Sequence, residues 1–234
     1  MVEITLAKLS TDLPFNNNNM QYVSLERHIR ILNYKNNEDK KRSLISELLI
    51  RKAAYEKLGI PLDSLKTCFN PYGKPYIDNV RHFKFNVSHS GDYVALVTSK
   101  HKVGIDIEKI KEFDIAIAER FFTHNEYEYI ISFKLENEKN DAFYKLWTLK
   151  ESYVKAVGKG LKIPLNSFEF MINKDICLKG DKQKDKYRFI TEKINGYILS
   201  VCFIEKNINC KINYIKEEDV LNYYKEMTIR RGEK

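Results

Sequence analysis

This 234-residue sequence predicts an α+β fold built from two similar α/β halves, on three observations. Stretches with helical and with strand periodicity alternate along the whole chain. The order helix, glycine, Ile-Pro-Leu-Asx-Ser, then a turn and a continuous apolar strand, occurs twice, roughly a hundred residues apart. Finally, 15 Tyr and 13 Phe in a chain 43% hydrophobic and 31% charged provide for buried cores beneath a hydrophilic surface.

Residues 2–8 alternate apolar and polar and predict a strand, and Asn16 to Asn19 a polar loop. Residues 21–35 and 40–58 carry helical periodicity. In the second, Leu44, Leu48, Leu49, Ile50, Ala53 and Ala54 supply the apolar face and Gly59 ends the helix. Its opening cluster Asp39-Lys40-Lys41-Arg42 reads as a solvated helix start. Short strands are expected at 67–69, 75–78, 83–88, 92–99 and 103–108. Residues 114–133 predict helix with a break near Thr123, 134–141 a polar loop, and 142–157 a long helix ending at Gly158. Strands recur at 167–172, 187–193, 197–204 and 210–214, and an amphipathic helix covers about 217–227.

The repeat is explicit in the residues. Gly59 leads into Ile60-Pro61-Leu62-Asp63-Ser64, and Gly158 and Gly160 into Ile163-Pro164-Leu165-Asn166-Ser167. Each copy ends in a glycine turn and a strand, Tyr93 to Val97 and Tyr197 to Val201. Ile-Pro-Leu-Asx-Ser alone is a common exit from a helix; the shared order of all three elements points to duplication. The halves are then 1–101 and 102–234, related by a pseudo-two-fold and meeting at a cleft where a ligand would bind.

No apolar run approaches the ~20 residues that span a bilayer, and the N-terminus lacks the pattern of a secretory signal. Cys68, Cys177, Cys202 and Cys210 have no Cys-x-x-Cys pairing and no zinc spacing, and are expected as reduced thiols in the cytoplasm. A net charge of +8 favours anionic partners. No nucleic-acid-binding motif accompanies it, so neither nucleic acid nor membrane is expected as a partner.

Three segments carry chemistry. In Val103-Gly104-Ile105-Asp106-Ile107-Glu108 the period of two puts Asp106 and Glu108 on one strand face. Two such carboxylates repel unless a cation lies between them, and oxygen-only ligands suit magnesium. Alone, the pattern reads first as a solvent-facing strand edge with two unpaired acids. In Phe143 to Lys155, Glu151 and Lys155 stand four apart on one helix face. They form either a surface ion pair or a metal ligand beside a phosphate-binding lysine. The third is Phe85-Asn86-Val87-Ser88-His89-Ser90-Gly91, small polar residues at a strand end, able to bind phosphate oxygens. A lone histidine such as His89 is also a common structural residue.

In order, these segments resemble the 4′-phosphopantetheinyl transferase superfamily, most of all its larger, pseudo-dimeric, Sfp-like members that serve nonribosomal peptide and polyketide synthases. The resemblance rests on Asn86-Val87-Ser88-His89-Ser90, on Gly104-Ile105-Asp106-Ile107-Glu108, and on Trp147-Thr148-Leu149-Lys150-Glu151-Ser152-Tyr153 with Lys155 and Gly158-Lys159-Gly160. It implies transfer of 4′-phosphopantetheine from coenzyme A to a serine of an acidic acyl or peptidyl carrier protein, with release of 3′,5′-ADP. It implies Mg2+, replaceable by Mn2+, held by Asp106, Glu108 and Glu151. It assigns Lys155, Ser88 and His89 to the phosphates of coenzyme A, Lys74 of Tyr72-Gly73-Lys74-Pro75 to the same ligand, and Arg27, Arg30 and Arg42 to its 3′-phosphate. Glu126 matches a glutamate proposed as an acid–base group; as a bare sequence feature it is the polar start of a helix. Glu151 is the first candidate base. A cleft formed within one chain leads to the expectation of a monomer.

Overall fold

The computed structural model describes residues 1–61, 64–173, 175–180, 186–205 and 210–232. Leu62 and Asp63 of the first Ile-Pro-Leu-Asx-Ser copy lie outside the described residues. The fold is α+β. Its first series is β1 (Glu3–Lys8), α1 (Leu25–Leu32), α2 (Asn37–Leu58), β2 (Thr67–Phe69), β3 (Pro75–Ile77), β4 (Lys84–Ser90) and β5 (Tyr93–Ser99). The second is β6 (Val103–Lys109), α3 (Ile115–Phe121), α4 (His124–Ile131), α5 (Glu136–Val157), β7 (Glu169–Ile172), β8 (Ile176–Lys179), β9 (Arg188–Ile194) and β10 (Tyr197–Phe203).

The series correspond in order. A strand leads through shorter helices to a 22-residue helix, α2 or α5, closed by a left-handed glycine, Gly59 (φ 65°) or Gly158 (φ 78°). A two-stranded hairpin and an antiparallel strand pair follow, giving the sheet orders β1-β5-β4 and β6-β10-β9. The chain then returns. β11 (Ile212–Lys216) pairs parallel with β1, Ile4 opposite Ile212, and α6 (Glu217–Gly232) places Val220 and Tyr224 in the core under α2. The second unit of sheet therefore ends at Phe203, and the last segment of the expected 102–234 half is built onto the first half's sheet.

One core lies between the two sheets, with Ile4, Leu6, Ala95 and Val97 against Ile105, Ile107, Leu199 and Val201. Two further cores lie under α2 and α5. The edge strands β4 and β6 are joined by side chains. Ile105 N donates to Asn86 Oδ1 at 2.8 Å, Ser88 Oγ to Asp106 Oδ1 at 2.8 Å, and Ser90 Oγ to Glu108 Oε2 at 2.8 Å. Small polar side chains on β4 thus meet the acids of β6 along the line where the two sheets adjoin.

Several local expectations are corrected. Residues 136–141 belong to α5: Glu136 and Glu138 suit the positive helix start, and Lys139 pairs with Glu136 at 2.7 Å. Polarity there marks exposed helix, not loop. Asn17–Tyr22 is a 3-10 turn, and β8 is a strand that the sequence does not announce. The opening of α2 is not fully solvated. Lys41 is buried and pairs with Glu217 of α6 at 2.9 Å while donating to Leu13 O at 2.6 Å. Among the described residues no helix is long and apolar enough to cross a membrane. The four cysteines are free.

Candidate active site

The site begins with a missing side chain. A Cβ on Gly104 would lie 2.0 Å from Ser152 O and 2.5 Å from Ala156 N, so the backbone of α5 rests directly on β6. Ile105 and Ile107 fill the inter-sheet core, and the period of two turns Asp106 and Glu108 to the other face. Helical spacing brings Glu151 and Lys155 onto the side of α5 that faces them. Lys155 Nζ reaches Asp106 Oδ1 at 2.6 Å and Ser88 Oγ at 3.0 Å. It does not pair with Glu151, so the reading of these two residues as a surface ion pair fails.

These residues line a cleft of about 830 Å3. The first half contributes Arg27, Arg30, Ser88 and His89; the second contributes Asp106, Glu108, Trp147, Glu151 and Lys155. Arg27 Nε lies 3.3 Å from Glu47 Oε2, and Arg30 stacks 5.3 Å over the Phe69 ring.

The acids are under strain. Burial, and then the neighbouring Asp106 charge, raise the pKa of both Glu108 and Glu151. Asp106 is itself buried, and its Oδ2 has no hydrogen-bond partner. Among the described residues no three Asp, Glu, His or Cys side chains already converge as a ligand shell. What Asp106, Glu108 and Glu151 share is mutual repulsion, answered only in part by Lys155, and one orphaned buried oxygen. An oxygen-seeking divalent cation relieves both, so the donor set fits such an ion. His89 is accessible yet crowded. Desolvation, followed by the charges of Arg42 and Lys155, lowers its pKa and favours the neutral ring.

Three expected site residues stand elsewhere. Arg42 donates to Gly91 O at 2.9 Å and Asp39 Oδ1 at 2.7 Å; it influences His89 but does not wall the cleft. Lys74 donates to Val103 O at 2.9 Å and Lys155 O at 2.6 Å, whereas its neighbours Gly73 and Pro75 line the cleft. Glu126 is 1% exposed and saturated. Its Oε2 takes Lys150 Nζ at 2.8 Å and Thr123 N at 2.9 Å, and its Oε1 takes Phe170 N at 2.8 Å. It caps α4 and neutralises a buried lysine, an arrangement that favours an anchoring role over an acid–base one.

Two features escape the sequence reading. Lys150, on the apolar face of α5, is fully buried and also donates to Leu165 O and Phe168 O at 2.7 Å each. A lysine at a core position requires a buried acid, and that signal was available. Arg51 and Glu47, which also line the cleft, pair at 2.8 Å one turn apart in α2. An acid and a base four apart inside an apolar helix face mark them.

Residues 102–202 match the family model of the 4'-phosphopantetheinyl transferase superfamily, and residues 15–101 match that described as 4'-phosphopantetheinyl transferase, N-terminal. The chain is 40% identical over 209 residues to 4'-phosphopantetheinyl transferase gsp of Aneurinibacillus migulanus, covering 88% of this chain and 87% of the relative. It is 32% identical over 205 residues to 4'-phosphopantetheinyl transferase Sfp of Bacillus subtilis, covering 86% and 91%. It is 36% identical over 203 residues to the mouse L-aminoadipate-semialdehyde dehydrogenase-phosphopantetheinyl transferase, covering 76% and 65%. The chain belongs to the 4′-phosphopantetheinyl transferase superfamily, as an Sfp-like enzyme of the transferase class.

Proposed function

We propose that the enzyme moves the 4′-phosphopantetheine group of coenzyme A onto a serine hydroxyl of an apo acyl or peptidyl carrier protein and releases 3′,5′-ADP. The observation that carries this reading is Asp106. One of its oxygens is held by Lys155 and Ser88, and the other is buried and unpartnered, in a cleft shared with Glu108, Glu151 and three arginines.

Asp106, Glu108 and Glu151 would hold Mg2+, or Mn2+ in its place. Bound there, the ion supplies charge neutralisation to a pyrophosphate. The remaining work falls to side chains. Arg27, Arg30 and Lys155 bind phosphate oxygens, and Ser88 and a neutral His89 donate hydrogen bonds to them. The serine oxygen attacks the β-phosphorus. The bond from that phosphorus to the bridging oxygen breaks, and this oxygen leaves with 3′,5′-ADP, its charge met by Lys155. Glu151 accepts the serine proton.

The net charge of +8 supports an acidic carrier as partner. The segment Phe113 to Phe122, with Ile115 exposed, is the proposed contact. A cleft walled by both halves of one chain supports a monomer. A cytoplasmic enzyme serving nonribosomal peptide synthesis accords with this donor and acceptor.

The test is the intact mass of an apo peptidyl carrier protein after incubation with enzyme, coenzyme A and Mg2+. A gain of one phosphopantetheine, lost on chelation and in Glu151→Gln, is expected. No gain with several unrelated carriers, while coenzyme A still binds, would overturn the reading.

A further inference from the structure

The turn between β2 and β3 belongs to the first half, yet two of its side chains end on the last turn of α5. Asn70 Nδ2 donates to Gly158 O at 2.9 Å. Lys74 Nζ donates to Lys155 O at 2.6 Å and to Val103 O at 2.9 Å. Carbonyls at a helix C-terminus lack partners within the helix, and a cation there is favoured by the helix dipole. The turn is braced internally: Asn70 Oδ1 accepts from Tyr72 N and Lys74 N, both at 2.9 Å. Gly158 packs against it, since a Cβ there would lie 3.1 Å from Lys74 Cδ.

The carbonyls chosen matter. Val103 opens the strand that carries Asp106 three residues on. Lys155 is the residue whose own ammonium closes on Asp106 at 2.6 Å. One lysine therefore ties the acid-bearing strand to the helix bearing Glu151 and Lys155, at the place where Gly104 allows their backbones to touch.

We infer that Lys74, supported by Asn70, is a positioning residue: it sets the spacing of β6 and α5, and with it the Asp106–Glu151–Lys155 geometry, without touching substrate. The inference rests on the transfer reaction proposed above. It explains why Lys74 is absent from the cleft wall while Gly73 and Pro75 are part of it.

The experiment compares wild type, Lys74→Met, Lys155→Ala and the double variant. Carrier modification gives kcat and KM, calorimetry gives the Kd for coenzyme A, and hydrogen exchange follows the amides of residues 152–158. In Lys74→Met, kcat is expected to fall about tenfold with the Kd for coenzyme A held within about twofold. Exchange at the end of α5 should quicken. The double variant should be slower than Lys155→Ala alone by less than tenfold, because only part of the Lys74 effect passes through Lys155 and the rest through Asp106 and Glu151. A weakened Kd with kcat retained would mean that Lys74 binds coenzyme A directly and would overturn the inference, as would unchanged kcat and unchanged exchange. If Lys74→Met does not fold, Asn70→Ala removes one tie only and should show the same pattern at about a third of wild-type kcat. Calorimetry and exchange need no turnover. A wild type that transfers nothing defeats the proposed reaction, while exchange still decides the positioning role.

Discussion

Helices α2 and α5 are the same device used twice. Both have 22 residues and both end on a left-handed glycine. Counted back from that glycine, Lys52 and Glu56 of α2 occupy the positions of Glu151 and Lys155 in α5, with the charges reversed. Lys52 and Glu56 pair with each other at the surface. Glu151 and Lys155 do not; Lys155 crosses to Asp106. One residue earlier stand Arg51 and Lys150, both buried cations answered by buried glutamates, Glu47 and Glu126. The buried layer is common to both halves, and the charged layer beside it is not.

The difference comes from the strand opposite. The glycine turns that precede Tyr93 and Tyr197 align β5 with β10, and their ladders then match Thr5 and Ala7 of β1 with Asp106 and Glu108 of β6. A threonine and an alanine ask nothing of a neighbouring helix. A buried and a half-buried acid ask for a cation. On the function proposed above, the duplicated scaffold supplies one catalytic face and one structural face, and an i,i+4 charge pair is recruited only where a strand holds unmet charge across from it.

The largest effects should fall on α5 alone. Glu151→Gln is expected to lower the transfer rate on the order of 10³-fold with little change in Tm, read from carrier mass against time and a melting curve. The matched change Lys52→Gln should leave the rate within about twofold. Comparable losses in both helices would break the comparison.

Next in size is Gly104→Ala. The added Cβ would meet backbone atoms at 2.0 and 2.5 Å, so α5 must lift from β6. A displacement near 1 Å at a catalytic group is expected to cost on the order of 10²-fold in rate. Overpacking adds roughly 1–3 kcal/mol of destabilisation, measured by urea unfolding. The position matched on β1 is Glu3, whose partner is Lys57 at the surface. Glu3→Ala should stay within about 0.5 kcal/mol. An active, stable Gly104→Ala would remove the close approach from the argument.

Glu126→Gln separates anchor from catalyst. It leaves Lys150 charged in a dry core, a change that typically costs about 3–5 kcal/mol. Replacing both partners, Glu126→Gln with Lys150→Met, should recover most of that stability. The transfer rate per folded molecule should then approach wild type. A double variant that is stable yet inactive would return Glu126 to the chemistry.

How much of this is legible in the sequence depends on whether the information is local. The period of two on β6, the four-residue step from Glu151 to Lys155 and the repeated exit from each long helix are local, and they suffice for the α+β fold and for naming Asp106, Glu108, Glu151 and Lys155 as candidates, which the family resemblance joins into one site. The partner of Lys41 is 176 positions away at Glu217, and Lys74 acts on Val103 and Lys155. No periodicity encodes such pairings. Glu126 misleads for the same reason: its capping box with Thr123 is local, but its neutralisation by Lys150 is a product of packing.

Lys74 gives the smallest effect and one with a definite sign. Its burial lowers the pKa from 10.5 to about 8, with Lys102 and Lys84 contributing in the same direction. Between those two values the unfolded chain binds the proton and the folded chain releases it, so stability should rise as pH increases from about 8 toward 10.5. A neutral amine still donates two hydrogen bonds, enough for the carbonyls of Val103 and Lys155. Urea midpoints from pH 7.5 to 10 for wild type and Lys74→Met should therefore differ in slope, with the rise confined to wild type. Equal slopes in wild type and Lys74→Met would mean that the ammonium beneath Lys155 is better solvated than its two carbonyl contacts imply.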